Sequence, residues 1–217
     1  TTQIYNRLIR AIGDKGDALT YHTAAAPAAD GMVHFIEGGV DKFPPVAMMV
    51  EETSVVAVRA DSPIRSATDL VAALKSDVTS LKIAVAPALG QNTHLAIAKP
   101  LKVAGVAVDK LTIAPFRSSG ESVNALLGGH VDIVSATAPT VVPHVLAGKL
   151  RIVATAAPEH GSGPLADVKT WREQGVAADY VSYNGVMLAP DTTPEQQKFW
   201  EAALKRVSQS PEWIAMV

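Results

Sequence analysis

ALLGGHVDIVSATAPTVVPHVLAGKLRIVAT, Ala125 to Thr155, contains one full repeat of the chain's architecture. Leu126 and Leu127 belong to the inward face of a helix. Gly128 and Gly129 behind them read as its C-cap and turn, because glycine enters left-handed backbone without a steric penalty. Val131 to Val134 is a short β-branched run and reads as a strand. It gives way to the small residues Ser135 to Ala138, and Pro139 then opens a helix that Gly148 ends, the proline-in-front, glycine-behind asymmetry of helix termini. Ile152 to Thr155 is the next strand. Strand, loop, helix, strand is the unit of an α/β protein with largely parallel sheets flanked by helices.

Upstream the unit recurs. Ser54 to Val58 (SVVAV) is the first clear strand, followed by the turn Asp61-Ser62-Pro63 and by Ser66 as N-cap of a helix with Leu70, Val71 and Leu74 on one face. Lys82 to Val85 leads to a helix from about Asn92, where Pro100 predicts a kink or an early end. Leu111 to Ala114 leads to a helix from about Ser119 that turns Val123, Leu126 and Leu127 inward. Near the start, Ile4, Tyr5, Leu8, Ile9 and Ile12 are spaced as an amphipathic helix. Downstream, Ala157 to Gly163 is a Pro/Gly-rich loop and residues 180 to 188 return to extended structure. Thr193-Pro194-Glu195-Gln196 is a capping box, opening a helix expected to bury Phe199, Trp200, Ala203, Leu204 and Val207.

The 217 residues carry 19 Lys+Arg against 21 Asp+Glu, so the net charge is −2, which gives no basic footprint for nucleic acid. Hydrophobic residues make up 48%, ample for a buried core, and no apolar run is long enough for a membrane-embedded helix. Cysteine is absent, so thiolate nucleophiles and Cys-based metal sites are excluded. None of the six histidines, His22, His34, His94, His130, His144 and His160, forms an i,i+4 pair, so no helical metal motif arises and no cofactor is expected. Gly161-Ser162-Gly163 is too short for a nucleophile elbow, and Gly128-Gly129 lacks the lysine and spacing of a phosphate loop.

Three places remain where a strand runs into a small-residue loop that opens a helix. The first is Pro87 to Thr93, with Gly90, Gln91, Asn92 and Thr93. The second is Arg117 to Gly120, with Ser118, Ser119 and Gly120, and the third is Ser135 to Pro139, with Ala136, Thr137 and Ala138. Each would offer helix-start N–H groups, helped by hydroxyls or an amide, to an anion. At the carboxyl edge of one sheet the three would converge. Read singly, each is an ordinary N-cap. His94 could donate to a ligand and Arg117 could pair with a carboxylate, while Tyr183 and Asn184 suit either the wall of a cleft or core packing.

From about residue 54 to 190 the chain resembles the Bug-type substrate-binding receptors of tripartite tricarboxylate transporters. Ala125 to Thr155 follows the family's ordered signature, supported by Ala60 to Leu70 (ADSPIRSATDL), Gly90 to Ala96 (GQNTHLA) and Val168 to Gly175 (VKTWREQG). The resemblance implies a two-lobed, periplasmic-binding-protein-like fold of type II. It also implies export to the periplasm, capture of a small organic anion between the lobes, delivery to a membrane permease, and no catalysis. Crossings near Ser80 and Ser182 would make domain I from 1–80 and 183–217 and domain II from 81–182. Residue by residue, Gly90, Asn92 and Thr93 match the loop before the family's HLA helix. Ser118, Ser119 and Gly120 take the place of its Tyr-x-Gly-Gly loop, and Ala136 to Ala138 take the third position. Thr23 and Ala24 would be the domain I loop facing them. The family's opening strand with its Gly-rich loop and its last helix have no counterpart, so domain I is expected to be incomplete. Phe116-Arg117-Ser118-Ser119 departs from the family's second loop, which puts its usual dicarboxylate ligands in doubt. Two other classes stay open: an enzyme on the same architecture working through His94 or Glu121, and the effector-sensing domain of a transcription regulator.

Overall fold

The computed structural model describes residues 18–24, 45–188 and 192–215; the expected helix from Ile4 to Ile12 lies outside them. Eight strands and six α-helices are present among the described residues: β1 (Ala18–Ala24), β2 (Pro45–Glu52), β3 (Ser54–Arg59), α1 (Ala67–Ser76), β4 (Lys82–Val85), α2 (Asn92–Val103), β5 (Thr112–Pro115), α3 (Ser119–Leu127), β6 (Ile133–Thr137), α4 (Ala138–Leu146), β7 (Leu150–Thr155), β8 (Ser182–Leu188), α5 (Pro194–Ser208) and α6 (Pro211–Ile214). Two compact units result, one of 1–51 with 183–217 and one of 52–182.

In the 52–182 unit the sheet order is β5-β4-β6-β3-β7. β4 pairs in parallel with β5 and β6, whereas β3 runs antiparallel to both β6 and β7. Four strands therefore share one direction and β3 alone opposes them, so the expected parallel sheet is mixed. Val55 to Val58 are buried on both faces, the environment that a run of β-branched residues suits best. β3 hydrogen-bonds into the middle of the larger sheet, and the compact unit that holds it begins at Glu52, whereas the repeat pattern of the sequence sets a first crossing near Ser80.

Side chains alternate across this sheet. Val55, Ala57, Ala84, Val134 and Ala136 face α3 and α4, packing with Val123, Leu126 and Val141. The opposite face carries α2, which lies across β6 and β3 and buries Ala96, Ile97, Pro100 and Leu101. Pro100 does not end α2; the helix runs three residues further, and the Ala104 N–H closes it on the Pro100 carbonyl at 2.8 Å.

The caps follow the sequence. Ser66 accepts from the Asp69 N–H at 3.1 Å, and Gly129, at φ +73°, turns the chain out of α3 while the His130 N–H bonds the Ala125 carbonyl at 2.9 Å. β7 forms one border of the sheet, and its outer side is covered by Thr170 and by Gln174. The Gln174 amide donates to the Val153 carbonyl at 3.0 Å and accepts from the Ala67 N–H, the first of α1, at 2.7 Å.

The other unit contains a three-stranded sheet in the order β1-β8-β2. Its core gathers Val186, Leu204 and Trp213 against Val46, Met49, Val50 and Val207. The capping box of α5 is complete, with Thr193 and Gln196 bonding each other's backbone at 3.3 and 2.8 Å. Phe199, expected inside, is 38% exposed and stands edge-on to the buried Trp200, with ring centroids 5.7 Å apart. The helix has one buried stripe, and Trp200, Ala203 and Leu204 fill it.

Gln174 joins two elements through one amide, and removing it leaves two backbone groups short of partners. Gln174→Ala should lower the unfolding free energy in urea by about 1–3 kcal/mol, with Gln174→Glu intermediate because it keeps only the acceptor. A loss under about 0.5 kcal/mol in the alanine variant would mean that water replaces the side chain at no cost.

Candidate functional site

β5, β4 and β6 are neighbours and point the same way, so their carboxyl ends share one edge of the sheet. The helices that follow them, α2, α3 and α4, all start at that edge. Of the expected site residues, Gly90 to Thr93, Ser118 to Gly120 and Ala136 to Ala138 thus gather along one border of one unit. Thr23 and Ala24 are the last two residues of β1, in the other unit, and are strand rather than loop.

At the first opening Gln91 is the N-cap, in extended conformation and without a side-chain cap. Thr93 does not face outward. It is 1% exposed, its hydroxyl donates to the Ala86 carbonyl at 2.6 Å, and the same oxygen accepts the Ala86 N–H at 2.9 Å. From the next strand the buried Ser135 hydroxyl donates to the Thr93 carbonyl at 2.6 Å. The sequence reads Ser135 as the start of the third small-residue loop and not as the support of the first, because nothing in one dimension brings it to Thr93. The Asn92 side chain takes the Thr93 N–H at 3.0 Å. Among the described residues the amides of Asn92 and His94 have no acceptor, as the first turn of a helix dictates. Leu89 stands beside them, 57% exposed.

His94 closes this loop. Its Nδ1 accepts the Gly90 N–H at 2.8 Å, so the neutral ring carries its proton on Nε2 and has one donor left. Burial lowers its pKa below the ordinary imidazole range.

The second opening is capped from within. Ser118 accepts the Glu121 N–H at 3.2 Å, and the Glu121 carboxylate accepts the Arg117 N–H, also at 3.2 Å. Ser119 and Gly120 keep their amides, while Ser122 donates its hydroxyl to the Ser119 carbonyl at 2.8 Å. Arg117 is exposed. His94 and Glu121, the two groups on which an enzymatic reading relied, are both engaged as caps.

The third opening departs most from expectation. Ala136 is fully buried within the sheet, and the Ala138 N–H is taken by the Thr53 carbonyl at 2.9 Å. Pro139 has no N–H to offer. What remains is the Thr140 N–H, without an acceptor among the described residues, and a pair of hydroxyls, Thr137 and Thr140, with their oxygens 3.1 Å apart. Two other residues matter. Ser54, opposite Thr137 in the ladder, is 1% exposed and its hydroxyl has no partner among the described residues. In the other unit Asn184 is fully buried, with neither amide atom bonded among the described residues.

A family model described as the tripartite tricarboxylate transporter family receptor matches residues 24–217. The chain belongs to this family. It is 30% identical over 158 residues to the UPF0065 protein of the gbd 5′ region of Cupriavidus necator, an alignment covering 73% of this chain and 46% of that protein. The chain thus spans about half the length of that curated relative. In structure it is similar to the periplasmic binding protein BugD, with TM-score 0.75, 18% identity, and 95% and 69% of the two chains covered. It is also similar to MatC of Rhodopseudomonas palustris, solved with bound malate, with TM-score 0.73, 24% identity, and coverage of 90% and 66%. These likenesses establish the fold of two-lobed periplasmic solute-binding proteins.

The His94 cap makes the first opening sensitive to acid. Since the folded pKa lies below the unfolded value of about 6.5, the neutral ring contributes its full stability above that pH and loses it as pH falls through the folded pKa. After correction for intrinsic rates, amide exchange at Gly90 should be faster at pH 5 than at pH 7.5, and His94→Ala should abolish the difference. Equal Gly90 protection at both pH values would refute the cap.

Proposed function

We propose that this chain is the substrate-capturing component of a tripartite transporter. In this reading it works in the periplasm, binds a small organic carboxylate without transforming it, and passes it to a membrane permease. Its lobes are then the two compact units, divided at Glu51/Glu52 and Ser182/Tyr183. The observation that carries this reading is the gathering of three helix starts on one sheet edge, each with at least one amide that has no acceptor among the described residues and is suited to a carboxylate oxygen. Family membership and the malate held by MatC support the same ligand class. No described helix is long and apolar enough to cross a membrane, in keeping with a separate permease partner. The proposed contacts are Asn92 and the backbone around Gly90 and Gln91 at the first opening, and Ser118, Ser119 and Gly120 at the second. At the third they are Thr137 and its neighbours. Thr23 and Ala24 enter as contributions from the other unit, on the strength of the resemblance alone. Thr93 serves as the bolt beneath the first loop.

Ligand binding stabilises the folded state by RT ln(1 + [L]/Kd), about 2.7 kcal/mol at a hundredfold excess over Kd. In a thermal-shift screen of the 217-residue chain, at least one C4–C6 dicarboxylate, tricarboxylate or aromatic acid should raise Tm by several degrees while sugars and amines leave it unchanged. A screen in which only sugars or amines shift Tm, or in which nothing does, would end the proposal.

A further inference from the structure

We infer that residues 157–168 form a strap on the larger unit, fastened by a clasp between His160 and Glu173 and loosened as the medium turns alkaline. The inference makes no use of the three helix starts and does not rest on the receptor reading. It begins from how the segment is held. The chain leaves β7 at Thr155 and returns at Lys169, whose carbonyl takes the Thr155 N–H at 3.1 Å, while Thr155 and Thr170 form a parallel bridge. Between these points the segment folds on itself, with Leu165, Ala166 and Val168 donating their N–H groups to the carbonyls of Ser162, Gly163 and Leu165. Leu165 packs on the core that α3 and α4 cover, and a Cβ placed on Gly161 would come within 2.7 Å of the Leu165 Cβ. This is a compact surface loop of the Ω kind, closed at its base and packed by its own side chains. From 158 to 164, one side chain among the described residues hydrogen-bonds another segment: His160, whose Nε2 lies 2.6 Å from Glu173 Oε1.

Glu173 is a fixed receiver for that bond. Its other oxygen, Oε2, accepts from the Thr170 N–H at 2.8 Å and from the Thr170 hydroxyl at 3.1 Å, and its neighbour Gln174 holds the turn to β7 and α1. The turn therefore keeps its own ties when the His160 bond weakens, and the strap is what moves. The two side chains are 42% and 43% exposed, so the ring exchanges its proton with the medium directly. The hydrogen bond to Glu173 raises the His160 pKa above the ordinary imidazole range; the Ala166 carbonyl and the charges of Glu173 and Asp167 add to this, against the opposing effect of desolvation. A charged ring carries protons on both nitrogens, whereas a neutral ring has one for the same acceptors. Loss of the proton thus removes a donor and an attraction together. Since the folded pKa lies above the unfolded value of about 6.5, the clasp contributes fully below that pH and is lost as pH rises through the folded value. Exposed pairs are weak, so the change is a shift in how often the strap opens and not a global transition. The returning limb supplies Asp167 and Val168 to one wall of a hollow of about 600 Å³ beside Ile152 and Val153, so loosening the strap widens that hollow and uncovers Leu165.

The test is amide exchange on the 217-residue chain, corrected for intrinsic rates. Leu165, Ala166 and Val168 should be protected about threefold or more better at pH 6 than at pH 8.5. His160→Gln, which keeps a neutral donor, should flatten that difference. Gly90 is the internal control, because its bond to His94 strengthens over the range in which the clasp weakens, and a global loss of stability would move both sites the same way. Followed by NMR, the His160 ring should titrate above about 6.5, and Glu173→Gln should bring the midpoint down, a readout that a merely structural role for Glu173 would not move. Equal protection of the three strap amides at both pH values, a difference that survives His160→Gln, or a His160 midpoint at or below about 6.5 would overturn the inference, whatever the acid screen returns.

Discussion

Because β4 hydrogen-bonds β5 on one side and β6 on the other with all three strands parallel, the chain must cross a face of the sheet after β4 and again after β5 to re-enter from the same end. Each crossing is a helix, and each helix begins where its strand stopped. The direction of three short strands therefore fixes the position of three helix starts to within the width of the sheet, before any side chain at those starts is considered. Strands of four or five residues can hold that arrangement because their core is dense. Ile83, Ala84, Ile133 and Val134 have no exposed surface, and α3 and α4 close the face that Ala84 and Val134 share. A rigid floor of this kind would suit backbone amides to a ligand, since their directions are set by the sheet and not by rotamers.

Between the floor and the edge lies a buried polar bolt of Ser135, Thr93 and the backbone of Ala86. Three hydrogen bonds of 2.6 to 2.9 Å tie the end of β4 to the first turn of α2 and to the middle of β6. Such bonds contribute little net energy each, about 0.5–1.5 kcal/mol, yet an unmade one among buried groups costs more, so the bolt selects one register of the loop over its alternatives. It also explains why Thr93, which reads as a ligand residue in the sequence, is turned inward. The loop needs its hydroxyl more than the surface does.

How far the fold is legible in the sequence depends on whether local pattern or long-range pairing decides each feature. Ser66, Thr193, Gly129 and Gly148 mark helix ends through their own conformational preferences, and the structure follows them. The partners of β3 are a different matter. SVVAV announces a buried strand but not that it runs against its neighbours in the larger sheet, and so a chain cut by repeat is divided near Ser80 instead. β1 (ALTYHTA) and β2 (PVAMMVEE) offer no clean alternation, and Met48 faces solvent in the midst of apolar neighbours, so neither strand is visible ahead of Ser54. At the edge itself, the three helix starts are legible as small-residue loops. Which of their donors are already consumed is not, because the acceptors come from Thr53, Glu121 and Ala86, on other elements or around a turn.

That consumption makes the three openings unequal, and the inequality is chemical. The first has unengaged amides, a neutral histidine with one proton to give, and an apolar neighbour in Leu89. The second has amides at Ser119 and Gly120 but also the Glu121 carboxylate, bound to the Arg117 N–H. Two like charges 4 Å apart repel by about 1 kcal/mol even in bulk water, and by more beside a protein wall, so a ligand carboxylate reaching the second opening does so against Glu121 and with the help of Arg117. The third keeps the Thr140 N–H and adds the Thr137 and Thr140 hydroxyls. An anion that approached this edge would therefore seat its charge first at the start of α2, where nothing opposes it. Its remaining groups would then be sorted by what the other two openings lack. Recognition of this kind comes from differences in donor supply along one sheet edge, and each of those differences traces back to where a strand ends and what bonds its last amides.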